Sequence, residues 1–239
     1  MGFREALVQR AGEFGINLTG DQLAAFNCYY ELLVSWNEKV NLTAITEPQE
    51  VAVKHMIDSL SCYDDTVFFD GCAVIDVGTG AGFPGLPLKI FRPDIKLTLL
   101  DSLNKRLLFL QAVIDKLGLN EVTILHSRAE EAGRKKELRG KYAVAVSRAV
   151  ARLNVLCELC LPLVTVGGYF VSLKGAQYSQ EVSEAGNAVK VLGGEIVNIR
   201  PVKLPGLDDI RTIVYIKKIA NIVDAYPRRP GIPEKKPII

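Results

Sequence analysis

The chemistry in this chain concentrates in a glycine cluster and a carboxylate that follows it at a distance. Asp76 is followed by Gly78, Thr79, Gly80, Ala81, Gly82, Phe83, Pro84 and Gly85. Without Cβ atoms, Gly78, Gly80 and Gly82 let the backbone take positive φ angles and lie directly against a ligand. Asp101 stands 19 residues beyond Gly82, the spacing at which an acidic side chain meets the ribose of a nucleotide seated on such a loop. An ionised carboxylate accepting ribose hydroxyls contributes roughly 1.5–3 kcal/mol for each bond. Loop and acid together predict a seat for a nucleotide-containing cofactor.

Two cofactors compete for that seat. Gly80, Gly82 and Gly85 spell G-x-G-x-x-G, which suits a nicotinamide dinucleotide. Against it, Pro84 and Pro87 fall where a dinucleotide fold needs helix-start N–H groups for a pyrophosphate. A cofactor without phosphates fits better: S-adenosylmethionine has a ribose for Asp101 and an amino group that Asp76 attracts directly or through water.

Other reactive side chains weigh less. His55, Asp58 and Ser59 share one side of a helix by their spacing, but a hydrolytic triad needs the histidine in line between its partners. We expect them to form a cap or an interface with the next domain, with His55 a candidate for facing the substrate. Cys157 and Cys160 sit inside an apolar helix with no partner pair, which reads as packing rather than metal or redox work.

The elements that must position these groups are legible in outline. Residues 1–66 read as a helical N-terminal extension. In it Thr19 and Gln22 form a capping box, opening an amphipathic helix that ends near Trp36. Pro48 begins another helix. Residues 67–220 alternate strands with helices, the mark of a parallel sheet with crossovers. Strands are expected at 72–77, 96–101, 122–125, 142–146 and 169–174, and helices at 103–117, 153–164 and 180–192. The runs 195–204 and 210–219 are joined by too short a loop for a crossover and should be antiparallel neighbours. Arg148 and Lys174, at the carboxyl ends of strands, belong by position to the ligand crevice. The expected fold is α/β, a Rossmann-like sheet ending in an antiparallel hairpin that resembles the class I methyltransferases.

Residues 221–239 form a basic, proline-rich tail. From Lys217 onward six basic residues face two acidic ones, and Pro227, Pro230, Pro233 and Pro237 punctuate the segment. Such a tail is expected to lie extended rather than helical, where it can follow a phosphate backbone or simply stay solvated. The whole chain carries only +2, too little to argue for nucleic acid by itself. Charges or turn residues interrupt every apolar run, so no membrane span is expected. The odd count of five cysteines suits reduced thiols and a cytoplasmic protein.

Several ordered blocks together resemble one family. Asp76 to Gly85, Leu100-Asp101-Ser102 with Lys105-Arg106, Ser127-Arg128-Ala129-Glu130, Ser147-Arg148-Ala149 and Leu173-Lys174-Gly175 are similar to the glucose-inhibited division protein B family. Trp36-Asn37, Asn41-Leu42-Thr43 and His55 with Asp58-Ser59-Leu60 extend the resemblance over most of the chain. It implies an S-adenosylmethionine-dependent enzyme that methylates the 7-nitrogen of a guanine in bacterial small-subunit (16S) ribosomal RNA. Its partner would be that RNA or the assembling subunit, with no metal and no membrane. The family's cofactor contacts fall here on Gly78, Phe83, Ala129, Glu130 and Arg148; Asp76, Gly80 and Asp101 join them on the physical argument above. Lys174 becomes a candidate contact to RNA phosphate.

The residues agree with that chemistry. Methylation of an exocyclic amine usually calls on an Asn/Asp-Pro-Pro-aromatic signature after the fourth strand, and methylation of a pyrimidine carbon on a cysteine nucleophile. Here the fourth strand ends in Ser147-Arg148-Ala149. A guanine 7-nitrogen has an available lone pair and loses no proton, so alignment suffices and no general base is expected. An NAD-dependent oxidoreductase and a non-catalytic RNA-binding protein on the same fold remain the alternatives at this point.

Overall fold

A computed structural model describes residues 1–175 and 178–239. The N-terminal extension consists of α1 (Phe3–Glu13), α2 (Gly20–Val40), α3 (Pro48–Val51), a π-helical turn at Ala52–Ile57, and α4 (Asp58–Leu60). Thr19 caps α2 in the expected capping box with Gln22. The helix continues one turn past Trp36 to Val40 and stops at Asn41, whose φ of 50° is left-handed.

The strands and helices then alternate: β1 (Ala73–Val77), α5 (Gly85–Phe91), β2 (Lys96–Asp101), α6 (Asn104–Leu117), β3 (Val122–His126), α7 (Ala129–Ala132), β4 (Tyr142–Arg148), α8 (Leu153–Cys160), β5 (Val164–Lys174), α9 (Tyr178–Val191), β6 (Gly194–Lys203) and β7 (Ile210–Lys218). A short turn of helix, α10 (Ile232–Lys235), follows. The seven-stranded sheet has the order β3-β2-β1-β4-β5-β7-β6. β1 pairs in parallel with β2 and β4, while β7 runs antiparallel to β5 and also to β6, the latter as the short 203–210 connection requires. Strand order reverses beside β1, so a crevice opens beyond the carboxyl ends of β1 and β4.

Alternation along the strands divides the core in two. Val74, Leu97, Leu99 and Val146 face a cluster completed by Phe3, Leu7, Tyr29 and Phe109 from the extension and α6. Ile75, Val77, Leu100 and Ala145 face the other cluster, built on α8 and α9 with Leu156, Cys157 and Val189. The extension therefore covers one face of the sheet as a structural layer.

Besides the end of α2, two boundaries differ from expectation by four residues or more. β5 starts at Val164, five residues before Tyr169, because Val164 pairs with Tyr142 ahead of an irregularity that absorbs Gly167 and Gly168. α8 ends at Cys160 rather than Val164, since Pro162 supplies no N–H to continue it.

The tail is a larger correction. It folds back onto the α8 face instead of lying free. Arg228 donates from its backbone N–H and Nε to Glu158 Oε1, at 2.7 and 2.9 Å. Arg139 donates to the carbonyls of Tyr226 and Ile222, and Arg134 Nε to that of Pro227. Nor do its prolines forbid helix: Pro233 sits at the first turn of α10, where no N–H is needed.

Candidate functional site

The glycine loop leaves β1 and turns back on itself before α5. Gly78, Gly80 and Gly82 have φ of 73°, 61° and 99°, the left-handed region that favours glycine. Space is as tight as conformation. A Cβ on Gly82 would stand 2.6 Å from Leu86 Cδ1 and 2.7 Å from the Tyr29 hydroxyl, and one on Gly78 would stand 2.5 Å from Val150 Cγ2. Tyr29 of α2 donates its hydroxyl to the Ala81 carbonyl, so the extension clamps the loop from below.

Asp76 shares the extension-facing side of β1 with Val74 and is fully buried beneath the loop. Its Oδ2 accepts from Thr79 Oγ1 at 2.7 Å and from the Gly85 N–H at 2.8 Å. Its Oδ1 is buried without a hydrogen-bond partner among the described residues. Burial pushes this carboxyl up to about 6. Asp101, at the end of β2, accepts from the Leu103 N–H with Oδ1 and from the Gly80 N–H and Arg106 Nη1 with Oδ2. It thus holds the loop as well as lining the cleft above it.

That cleft, about 460 Å³, collects most of the expected residues: Gly78, Gly80, Phe83, Asp101, Glu130 and Arg148, with Ala129 beside Glu130. Asp76 lies outside its lining. A second cleft of about 550 Å³ adjoins it and contains Lys54, Asp58, Lys174 and Arg211. His55, Arg148 and the turn Ala149–Ala151 line both. Arg148 ties this junction together. Its Nη1 donates to Asp58 Oδ2 at 2.8 Å and to the Lys54 carbonyl at 3.0 Å, and its guanidinium lies 4.9 Å over the Phe83 ring. Arg148 reaches the Lys54 carbonyl where the helix widens into its π turn, a feature frequent at functional sites.

His55 stacks on Phe83 with centroids 4.6 Å apart, and Phe83 stacks in turn on Tyr29. Burial, reinforced by the Arg148 charge, lowers the imidazole to about 4, so it is neutral near pH 7. A proton on Nδ1 donates to the Lys54 carbonyl at 3.1 Å and leaves Nε2 to accept from the Thr43 hydroxyl at 2.9 Å, whereas a proton on Nε2 lets Nδ1 accept from Arg148 Nη2 at 3.5 Å. Ser59 turns its hydroxyl to the His55 carbonyl, away from the ring. Lys174 Nζ binds the Ala151 carbonyl at 2.6 Å and Glu181 Oε2 at 2.7 Å, holding the turn at the junction.

The loop amides decide which cofactor fits. Gly78 and Thr79 donate to the Leu100 carbonyl, Gly80 to Asp101, Gly82 and Phe83 to the Thr79 carbonyl, and Gly85 to Asp76. Pro84 and Pro87 have no N–H. A pyrophosphate needs free amides at this helix start, and here all of them except the Ala81 N–H are consumed internally, which disfavours a dinucleotide. Close backbone approach at Gly78 and Gly80, together with carboxylates at Asp101 and Glu130, fits S-adenosylmethionine.

A family model described as GidB, rRNA small subunit methyltransferase G, matches residues 22–210. The chain belongs to the GidB family. Ribosomal RNA small subunit methyltransferase G of Desulforamulus reducens is 53% identical over 232 residues, 97% of each chain. The protein of the same name from Alkaliphilus oremlandii is 49% identical over 238 residues and 100% of both. Among solved structures, the 16S rRNA (adenine(1408)-N(1))-methyltransferase of Catenulisporales acidiphilia with cosubstrate SAM aligns with a TM-score of 0.51. It covers 64% of this chain and 88% of that one at 14% identity, which shows the class I fold. As a GidB member the chain is an S-adenosylmethionine-dependent rRNA methyltransferase.

Several residues of this GidB site escaped sequence reasoning. Asn37 Oδ1 accepts the N–H groups of Leu42 and Thr43, folding the segment that brings Thr43 to His55. The resemblance blocks contain both residues, but no local pattern reveals the contact. Ala149 has φ of 55° without being glycine, an unfavourable backbone state of the kind concentrated at functional sites. Pro233 and Glu234 reach the first cleft from the tail, where the sequence gives no sign of docking. Cys157 and Cys160 are fully buried, and no group of metal-ligating side chains occurs among the described residues. No helix among them is long and apolar enough to cross a membrane.

Proposed function

We propose that the protein methylates the 7-nitrogen of a guanine in small-subunit ribosomal RNA, with the cofactor in the first cleft and the guanine entering through the second. The observation that carries this reading is the junction: both clefts open onto His55, Arg148 and the Ala149–Ala151 turn.

When bound, S-adenosylmethionine supplies an electrophilic methyl group on sulfonium. Gly78 and Gly80 offer close backbone approach, Asp101 accepts ribose hydroxyls, and Ala129 and Glu130 flank the far end. On the acceptor side the guanine 7-nitrogen uses its own lone pair, so no side chain needs to take a proton. Neutral His55 is suited to positioning rather than base chemistry, because it is already hydrogen-bonded and stacked on Phe83. Asp58 fixes Arg148 in place, and the Lys174 bond to Ala151 fixes the turn opposite. Holding acceptor and methyl in line is worth up to roughly 7–11 kcal/mol when alignment is good.

Lys54, Arg152 and Arg211 make the rim of the second cleft cationic, which suits RNA phosphates. The substrate is the RNA itself or the assembling small subunit, so we assign the enzyme to the cytoplasm.

Incubation of the purified protein with radiolabelled S-adenosylmethionine and small-subunit RNA or subunits, followed by nuclease digestion, tests this. Label should appear in 7-methylguanosine. Label in another nucleoside, or none with either substrate, would refute the acceptor assignment.

A further inference from the structure

The tail passes along the edge of the cofactor cleft. Glu130, on one wall of that cleft, accepts the Gly231 N–H on Oε1 at 2.9 Å. Its Oε2 makes no hydrogen bond among the described residues and is left for a ligand. Pro233 and Glu234 line the same cleft. Val155 and Leu159 of α8 and Ala129 of α7 are apolar lining residues, and α10 packs on α8. Pro233 therefore adds an apolar face beside groups suited to a planar base, while Gly231 sets the orientation of the carboxylate beside it.

The attachment is too specific for a loose arm. Glu158, only 1% exposed, receives the Arg228 guanidinium and backbone N–H. The Asn154 side chain meets the Ile238 carbonyl and Asn187 meets that of Ile239, so the segment is held on both sides of α10.

We infer that residues 221–239 form a strap that is part of the S-adenosylmethionine site, closing its Glu130 end and orienting that carboxylate, rather than an arm for RNA. The inference rests on the cofactor assignment above. Glu130 and Pro233 act on the ligand, and Gly231 is a positioning residue.

The test is calorimetry of S-adenosylmethionine binding to the full chain, to a chain ending at Arg229, and to Pro233→Gly. The truncation keeps the Arg228–Glu158 pair, and thermal melts report whether each variant is folded. Loss of the wall and of the Glu130 tether should weaken binding roughly tenfold or more in the truncated chain, with a smaller loss in Pro233→Gly. In the intact protein, the cofactor should slow amide hydrogen exchange at residues 231–235, a readout that holds even if the truncated chain unfolds. Unchanged or tighter cofactor binding in both variants, with no added exchange protection, overturns the strap. So does a truncation that spares cofactor affinity and instead lowers RNA affinity and its salt slope, the behaviour of an RNA arm. An intact chain that binds no S-adenosylmethionine would overturn the cofactor assignment, and the strap with it.

Discussion

Arg148 shows how one side chain joins two tasks. It is buried enough to need partners and has them in Asp58, the Lys54 carbonyl and the Phe83 ring. Arg148→Lys keeps the charge but loses the planar fork and its stacking, and should lower cofactor affinity and turnover together, measured by calorimetry and single-turnover methylation. Asp101 accepts from Leu103, Gly80 and Arg106 besides lining the cleft. Asp101→Asn keeps its shape but not its charge, so the affinity for S-adenosylmethionine should fall roughly tenfold or more, as expected for losing a charge-assisted bond; an unchanged dissociation constant in a folded variant would remove Asp101 from the ribose. Two further groups oppose each other in acid. Asp76 is raised from 3.8 to about 6, so the stability it contributes is complete below 3.8 and is lost as pH rises through 6. His55 is lowered from 6.5 to about 4, so its contribution is complete above 6.5 and is lost as pH falls through 4. Their slopes nearly cancel across the same window. His55→Asn should unmask a decline in unfolding free energy as pH rises between these values, and Asp76→Asn a rise, both read by urea titration.

The clamp between α2 and the glycine loop explains why the extension is more than an appendage. Tyr29 holds the Ala81 carbonyl, and its hydroxyl and Leu86 fill the space a side chain on residue 82 would need. Gly82→Ala adds that collision to a φ of 99°, so it should destabilise the fold by roughly 1–3 kcal/mol and lower its melting temperature, with cofactor binding lost in proportion. Elements with strong local signals were legible in the sequence: the Thr19 cap, the glycine loop, the paired strands around it and the closing hairpin. What stayed hidden depends on distant partners. The π turn carries no distinctive residue type. The early start of β5 depends on Tyr142 across the sheet, and Arg134 and Arg139 reach carbonyls some ninety residues away in sequence. Asp76 was expected to meet the cofactor, and nearness to the loop in sequence could not show that one of its oxygens is bound to the loop itself.

At the scale of the molecule, both ends of the chain converge on one crevice. The extension supports the loop from one face of the sheet, and the tail reaches the cleft from the other. With a net charge of only +2, attraction for RNA must come from local placement, and the second cleft gathers Lys54, Arg152 and Arg211. Arg152 makes no side-chain hydrogen bond or ion pair among the described residues, so it is available. Arg152→Ala should reduce the slope of log affinity for RNA against log salt by about 0.7–0.9 while leaving cofactor affinity unchanged, as filter binding over a salt series will show. The Glu158–Arg228 pair has a genetic consequence. A premature stop codon between Lys218 and Arg228 would leave the glycine loop, Asp101, Glu130 and Arg148 intact and yet remove the cation paired with a carboxylate that is 1% exposed, and losing one partner of a buried pair costs up to roughly 3–5 kcal/mol. Alleles truncated that late should therefore behave as loss-of-function alleles through a poorly folded product, even though the encoded protein retains the glycine loop, Asp101, Glu130 and Arg148.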